Sequence, residues 1–545
     1  ELHVAWSELA QQAGHTAPLP EDVESLANAV AREPQLSELM NTWLRSNPEA
    51  AAGAMAMAGR GGAAASSEPP IFRAAREGEC GVVEQLLGPR TGEPLRWEVS
   101  PSSGDTLLHV AAWWGRTRVA ALLISRQHPL HAPCRNRSAP LHYAAFRGHE
   151  DIVRLFLDAR AELERRMLGG DTAMHQAAWQ GHPGVIELLL SRRANINSAK
   201  DDGETPLFLA AYRGHVSVCR RLLEHLAADG PGGVDVTNKA GLTALHSAAS
   251  GAAGCEEVVR LLLDARADPQ GGGEAEEAPL HRAAQAGALA VVEALAEAGS
   301  DLEAVRRQDE RSALQIAVLE GHAAIARRLV ELRVDPDCCP RGISTPLHLA
   351  VLREATTPRR PNDASVIVAL VEARANLEHR TRGGSVTALH VALSPLPQPA
   401  QQRSVAVRAL LDARADVEAA ARGGERPLHM AVLGNLRMEA ALLLEQRACV
   451  DSVSNDGSTA LHLAAQHGVG VCLELMLRAR ADTSKRNAAG QTPVELARQC
   501  GLEHMERLLM RQQSGQAEEA AAAAPASAPA EPADEVRSDT APAGG

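Results

Sequence analysis

Two kinds of apolar stretch alternate along this chain. One is compact, as in "TALHLAAQHG" (Thr459 to Gly468), where Leu461, Ala464 and Ala465 lie three and four positions apart. The other is rich in Leu and Val, as in "VVRLLLDA" (Val258 to Ala265). Apolar residues at i, i+3 and i+4 place one stripe on a helix, so each stretch predicts a short helix with a single buried face. Pro opens the first kind in "TPLH", where the first helical turn tolerates it, and Gly closes it. Gly-containing turns such as "NKAGLT" and "SNDGST" separate one helix pair from the next. One pair cannot cover its own apolar face, so neighbouring pairs must stack.

The pairs recur with a period. "TLLH", "APLH" and "TAMH" end at His109, His142 and His175, and "TALH" or its variants end at His246, His281, His348, His390, His429 and His462. Phe208, Gln315 and Glu495 occupy the same slot, and the commonest step is 33 residues. A fixed period of this size marks a stacked-repeat architecture. The unit "DGSTALHLAAQHG" followed by "CLELMLRARADTS" resembles an ankyrin repeat, and the resemblance covers Pro69 to Arg511 in about a dozen copies. It implies an all-α, ankyrin-repeat solenoid of stacked helix–turn–helix units with β-hairpin loops. In such repeats the Thr and His of "TPLH" hydrogen-bond across the turn and to the neighbouring unit. The domain expectation is therefore a short helical N-terminal segment with an Ala/Gly/Ser linker at 1–66, a repeat array at 67–511, and a disordered Ala/Pro-rich acidic tail at 512–545.

Two departures from the family pattern stand out. Insertions of Pro, Gly and polar residues lengthen the steps after Phe208, His348 and His390, so the array is expected to be irregular around residues 352–405, with mobile loops. The slot before "AD", where the family has a glycine with positive φ, holds Arg160, Arg193, Arg266, Arg333, Arg374, Arg414, Arg447 and Arg480; Gly299 alone conforms. Left-handed geometry costs a non-glycine residue about 1–2 kcal/mol. All eight arginines are nonetheless predicted at positive φ.

Composition narrows the functional classes. A net charge of −13 excludes a general nucleic-acid or anionic-membrane surface. No apolar run reaches membrane-spanning length, so no membrane insertion is expected. Nine scattered cysteines without CxxC fit a reducing, intracellular location, cytoplasmic or nuclear. Most of the 21 histidines fall in repeat slots, and neither HExxH nor a phosphate loop occurs, so no metal, cofactor or catalytic residue is assigned.

One feature does point to a site. Aromatics make up 2% of the chain, yet Trp113, Phe146, Trp179 and Tyr212 share one slot at intervals of 33, between "AA" and "G". The residues beside them are Trp114, Arg147, Gln180 and Arg213. In ankyrin repeats these two positions end the first helix and face the concave groove, where partners commonly bind. Trp, Tyr and Arg carry much of the energy at interfaces. Packing of the rings as inter-repeat core is the plain alternative, but core burial would not favour arginine beside the rings. The expected function is a non-catalytic adaptor or scaffold, expected as a monomer, binding other proteins or peptide segments through these eight residues. The rival reading starts from Glu1 standing where Met is usual. It makes the chain a regulatory or substrate-recruiting arm of a larger enzyme or channel, with the catalytic part upstream.

Overall fold

The computed structural model describes residues 69–88, 104–229, 233–251, 255–272, 275–339, 344–356, 364–381, 385–394 and 400–523. These form two compact units, one up to Asn195 and one from Ile196 onward. The expectations for residues 1–66, for the insertion loops at 357–363 and 395–399, and for the tail from residue 524 lie outside the described residues.

In the first unit four helix pairs follow one another: α1 (Pro70–Glu77) and α2 (Cys80–Leu87), α3 (Leu107–Trp113) and α4 (Thr117–Ser125), α5 (Pro140–Arg147) and α6 (Glu150–Asp158), α7 (Ala173–Gln180) and α8 (Pro183–Ser191). First helices pack on first helices, α1 on α3 on α5 on α7, and second helices on second helices in the same order. Small side chains permit the close approach: Ala111, Ala112, Ala144, Ala145, Ala177 and Ala178 are all fully buried. The second helices contribute the larger core residues, among them Val119, Leu123, Ile152, Phe156, Ile186 and Leu189. The second unit repeats the arrangement from α9 (Pro206–Tyr212) and α10 (Val216–Asp229) to α25 (Pro493–Gln499) and α26 (Glu503–Ala523).

The slot histidines hold successive repeats together. The backbone N–H of Thr106 donates to His109 Nδ1 at 3.0 Å, and His109 Nε2 reaches the Ser138 carbonyl of the next turn at 3.0 Å. His142, His246, His281, His390, His429 and His462 make the same two bonds. Because Nδ1 accepts, the proton sits on Nε2, and the neutral tautomer is fixed by its partners. Gln315 reproduces the geometry with an amide: its Oε1 accepts from Ser312 N at 3.1 Å, and its Nε2 donates to the Cys338 carbonyl at 3.3 Å.

All eight slot arginines take positive φ, between 61° and 68°. The turns between pairs are narrower than hairpins with paired strands. Several are closed by an i to i+4 bond, as from Cys134 N to Ser138 O, Met167 N to Asp171 O and Lys200 N to Glu204 O, and two by an i to i+5 bond, from Arg306 N to Arg311 O and Thr381 N to Val386 O. Among the described residues only isolated bridges occur, Val305 with Ser312 and Val453 with Thr459. A carboxylate ties many turns to the next, as Glu164 does by accepting from Asn195 N at 2.7 Å and Glu418 from Cys449 N at 2.7 Å.

The expected irregularity appears in helix length. The segment Pro346–Thr356 is long, Ala388–Ala392 is short and Ala400–Asp412 is long. The last helix does not stop at residue 511 but continues to Ala523. Its extension is rich in Gln, Glu and Ala, which favour helix. Gln513 Nε2 also donates to the Thr483 carbonyl at 3.1 Å.

Candidate functional site

The aromatic slot ends each first helix, and the next repeat fixes its backbone. The Trp113 carbonyl accepts from His149 Nε2 at 3.2 Å, and the Phe146 carbonyl from His182 Nε2 at 3.0 Å. The glycine after each ring makes room for that imidazole. A Cβ on Gly148, which has φ +73°, would lie 2.6 Å from His182 Nδ1. The "G–H" string therefore joins a ring-bearing helix end to the histidine of the following unit.

Held in this way, Trp113 and Phe146 stack with centroids 5.7 Å apart and planes 12° from parallel. The Arg147 guanidinium carbon lies 5.1 Å from the centre of the Trp113 ring, a cation–π contact. Trp113 and Phe146 remain half-buried, whereas Arg147 is exposed and Trp114 is 40% exposed. The rings thus pack on one another without becoming core. Trp179 and Gln180, on α7, are half-buried in the same unit. Tyr212, 44% exposed, and Arg213 end α9 in the second unit. Of the eight predicted residues, the structure brings together Trp113, Trp114, Phe146 and Arg147.

It adds residues that the slot pattern did not single out. A pocket of about 600 Å³ opens beside the stack, lined by Asp105, Trp113, Trp114, Cys134, Arg135, Asn136, Tyr143, Phe146 and Met167, among others. Tyr143 stands edge-on to Trp113 at 5.5 Å and to His109 at 5.2 Å. Its hydroxyl donates to Asp105 Oδ1 at 3.0 Å, across one repeat. Burial, reinforced by the Asp105 charge, pushes the phenol well above its usual range, so Tyr143 stays a donor. Burial likewise holds His109 below the ordinary imidazole value. Tyr143 follows the slot histidine, a position filled by Val110 and Gln176 in the adjacent repeats, so its period carries no signal. The usable signal was rarity, because the chain has two tyrosines.

Asp105, His109 and Cys134 offer ligand atoms within 4.8 Å of one another. Their hydrogen bonds tell against a metal centre. Both nitrogens of His109 are committed, to Thr106 and to Ser138, and Asp105 already accepts from Tyr143. With His109 committed, Cys134 and the second oxygen of Asp105 fall short of the four donors a structural zinc requires. The cluster is the hydrogen-bonded floor of the pocket.

Stacked helix pairs with a repeated Thr–His strap define a helical repeat protein of the interaction type. Ankyrin-repeat family models match: the model of several ankyrin repeats in three copies, at residues 127–200, 174–271 and 280–357, and the single ankyrin repeat at 103–135 and 456–488. The chain belongs to the ankyrin repeat family. Among solved structures it is similar to the ankyrin repeat domain of Bcl-3, a member of the IkappaB protein family, with 28% identity and a TM-score of 0.37 over 42% of this chain and 98% of that one. The human ASB11 ankyrin repeat domain is similar at 25% identity and a TM-score of 0.37, over 44% of this chain and 99% of that one. No curated protein matches the chain. Ankyrin repeats are protein–protein interaction modules, and among the described residues no helix is long and apolar enough to cross a membrane.

Proposed function

We propose that the chain is a non-catalytic adaptor or scaffold, cytoplasmic or nuclear, whose array at residues 67–511 binds partner proteins. The contact surface is the ring-bearing face of the first unit, centred on Trp113, Phe146 and Arg147. The observation that carries this reading is the state of the stack. Aromatic rings and an arginine are pre-assembled and left half-exposed beside an open pocket, where a partner gains their burial at little ordering cost. Trp179 and Gln180, in the same unit, belong to the proposal by their slot; Tyr212 and Arg213 fill that slot in the second unit.

The test is quantitative capture from native extract with the whole chain as bait, against the Trp113→Ala/Phe146→Ala double variant. Circular dichroism would verify that the variant keeps its helices. The reading expects a partner retained by the first bait and lost from the folded variant. An unchanged partner set would place the binding surface elsewhere.

A further inference from the structure

The chemistry of the pocket specifies what it takes. Its walls are Trp113, Tyr143, Phe146 and Met167, and its volume of about 600 Å³ is the size of a small ligand site, enough for one or two large side chains. The polar groups of its floor are already satisfied. Asp105 accepts from Tyr143, His109 is bonded at both nitrogens, and Asn136 Oδ1 accepts from Ser138 N at 3.2 Å. An entering group therefore meets apolar walls above a floor whose polar groups are hydrogen-bonded.

The rim has the opposite character. Arg135 lines the pocket, Arg137 is at the tip of the same turn, and Arg147 lies over Trp113; all three are exposed. Arg137 and Arg147 have no carboxylate partner among the described residues. A chain whose net charge is −13 thus presents local positive charge at the mouth of its apolar pocket. Arginine in such a place is suited to carboxylates, which it binds through its planar fork. A second cation would be repelled, because the Trp113 ring already carries the Arg147 guanidinium.

We infer that the pocket seats one large apolar side chain of a partner peptide whose flanking residues are acidic, their carboxylates meeting Arg135, Arg137 and Arg147. The inference rests on the ring face being the partner surface and names the chemistry of that partner.

The experiment measures fluorescence anisotropy of short labelled peptides titrated with the full chain. One peptide has a central Trp-Leu pair flanked on both sides by Asp-Glu, the second replaces the flanks with Lys-Lys, and the third keeps the acidic flanks around Ala-Ala. The acidic Trp-Leu peptide is expected to bind at least about tenfold more tightly than either other peptide, and to weaken between about 50 and about 300 mM salt as the rim charges are screened. The Arg137→Glu/Arg147→Glu chain, folded by circular dichroism, is expected to reverse the preference toward the lysine peptide. Equal or tighter binding of the lysine peptide by the unaltered chain overturns the inference, as does equal binding of the Ala-Ala peptide or binding by none. Capture from extract separates the two levels. Partner loss with Trp113→Ala/Phe146→Ala but not with the charge-reversed chain overturns the acidic partner and keeps the ring face; loss with neither overturns both.

Discussion

At the scale of single residues, backbone conformation and burial decide most of what the repeats require. Arg333 is exposed with φ 68°, and Gly299 fills the equivalent slot with φ 83°. A Cβ added to Gly299 meets nothing within 4 Å, so substitution there tests conformation alone. Left-handed strain of about 1–2 kcal/mol outweighs the unfolded-state entropy of about 0.4–1 kcal/mol that a side chain removes. Gly299→Ala is therefore expected to lower stability by about 0.5–1 kcal/mol, and Arg333→Gly to raise it by a similar amount, read from urea midpoints. His246 gives a pH prediction. Burial lowers its pKa from 6.5 to about 4, so below 6.5 the unfolded chain binds the proton that the folded chain refuses. Its contribution is complete above 6.5 and is lost as pH falls from 6.5 toward 4. Gln315 shows that an amide fits the same slot, so His246→Gln is expected to flatten the stability profile over that interval. A profile as steep as that of the unaltered chain would contradict the assignment.

At the scale of elements, the unit is a helix pair plus the contact it makes with the next pair. Gly148 and His182 show how such a contact works, since the imidazole occupies the space a Cβ would need and bonds the Phe146 carbonyl. Gly148→Ala should accordingly cost more than Gly299→Ala, about 2 kcal/mol or more, because strain is joined by a displaced histidine and a lost hydrogen bond. Chemical denaturation of the two variants side by side checks the order. Much of this level was legible in the sequence. The period located the pairs, the slot before "AD" identified eight left-handed arginines, and "TPLH" marked the Thr–His strap. The rest was hidden for physical reasons. Tyr143 and Asp105 are 38 residues apart and meet only when repeats stack, in slots that hold unrelated side chains elsewhere. The extension of the last helix to Ala523 follows local propensity in a Gln-, Glu- and Ala-rich run and not the repeat period. Turn carboxylates such as Glu164 carry no repeat signal, and only stacking shows that they accept from the backbone of the next repeat.

At the scale of the molecule, a repeat array is a sum of nearest-neighbour interfaces, and function belongs to the place where the repeats stop being alike. Aromatic slot residues end at Tyr212, and no aromatic side chain follows it in the chain. The first unit is where a stacked pair of rings, a pinned arginine and a pocket coincide. The central claim is that a partner contacts this face. Its most direct test is a photo-cross-linking side chain, benzoylphenylalanine, placed at Phe146 in one full-length chain and at the exposed Arg154 of α6 in another. The account predicts a partner cross-linked through position 146 and none through position 154. Cross-linking through 154 with none through 146 would contradict it.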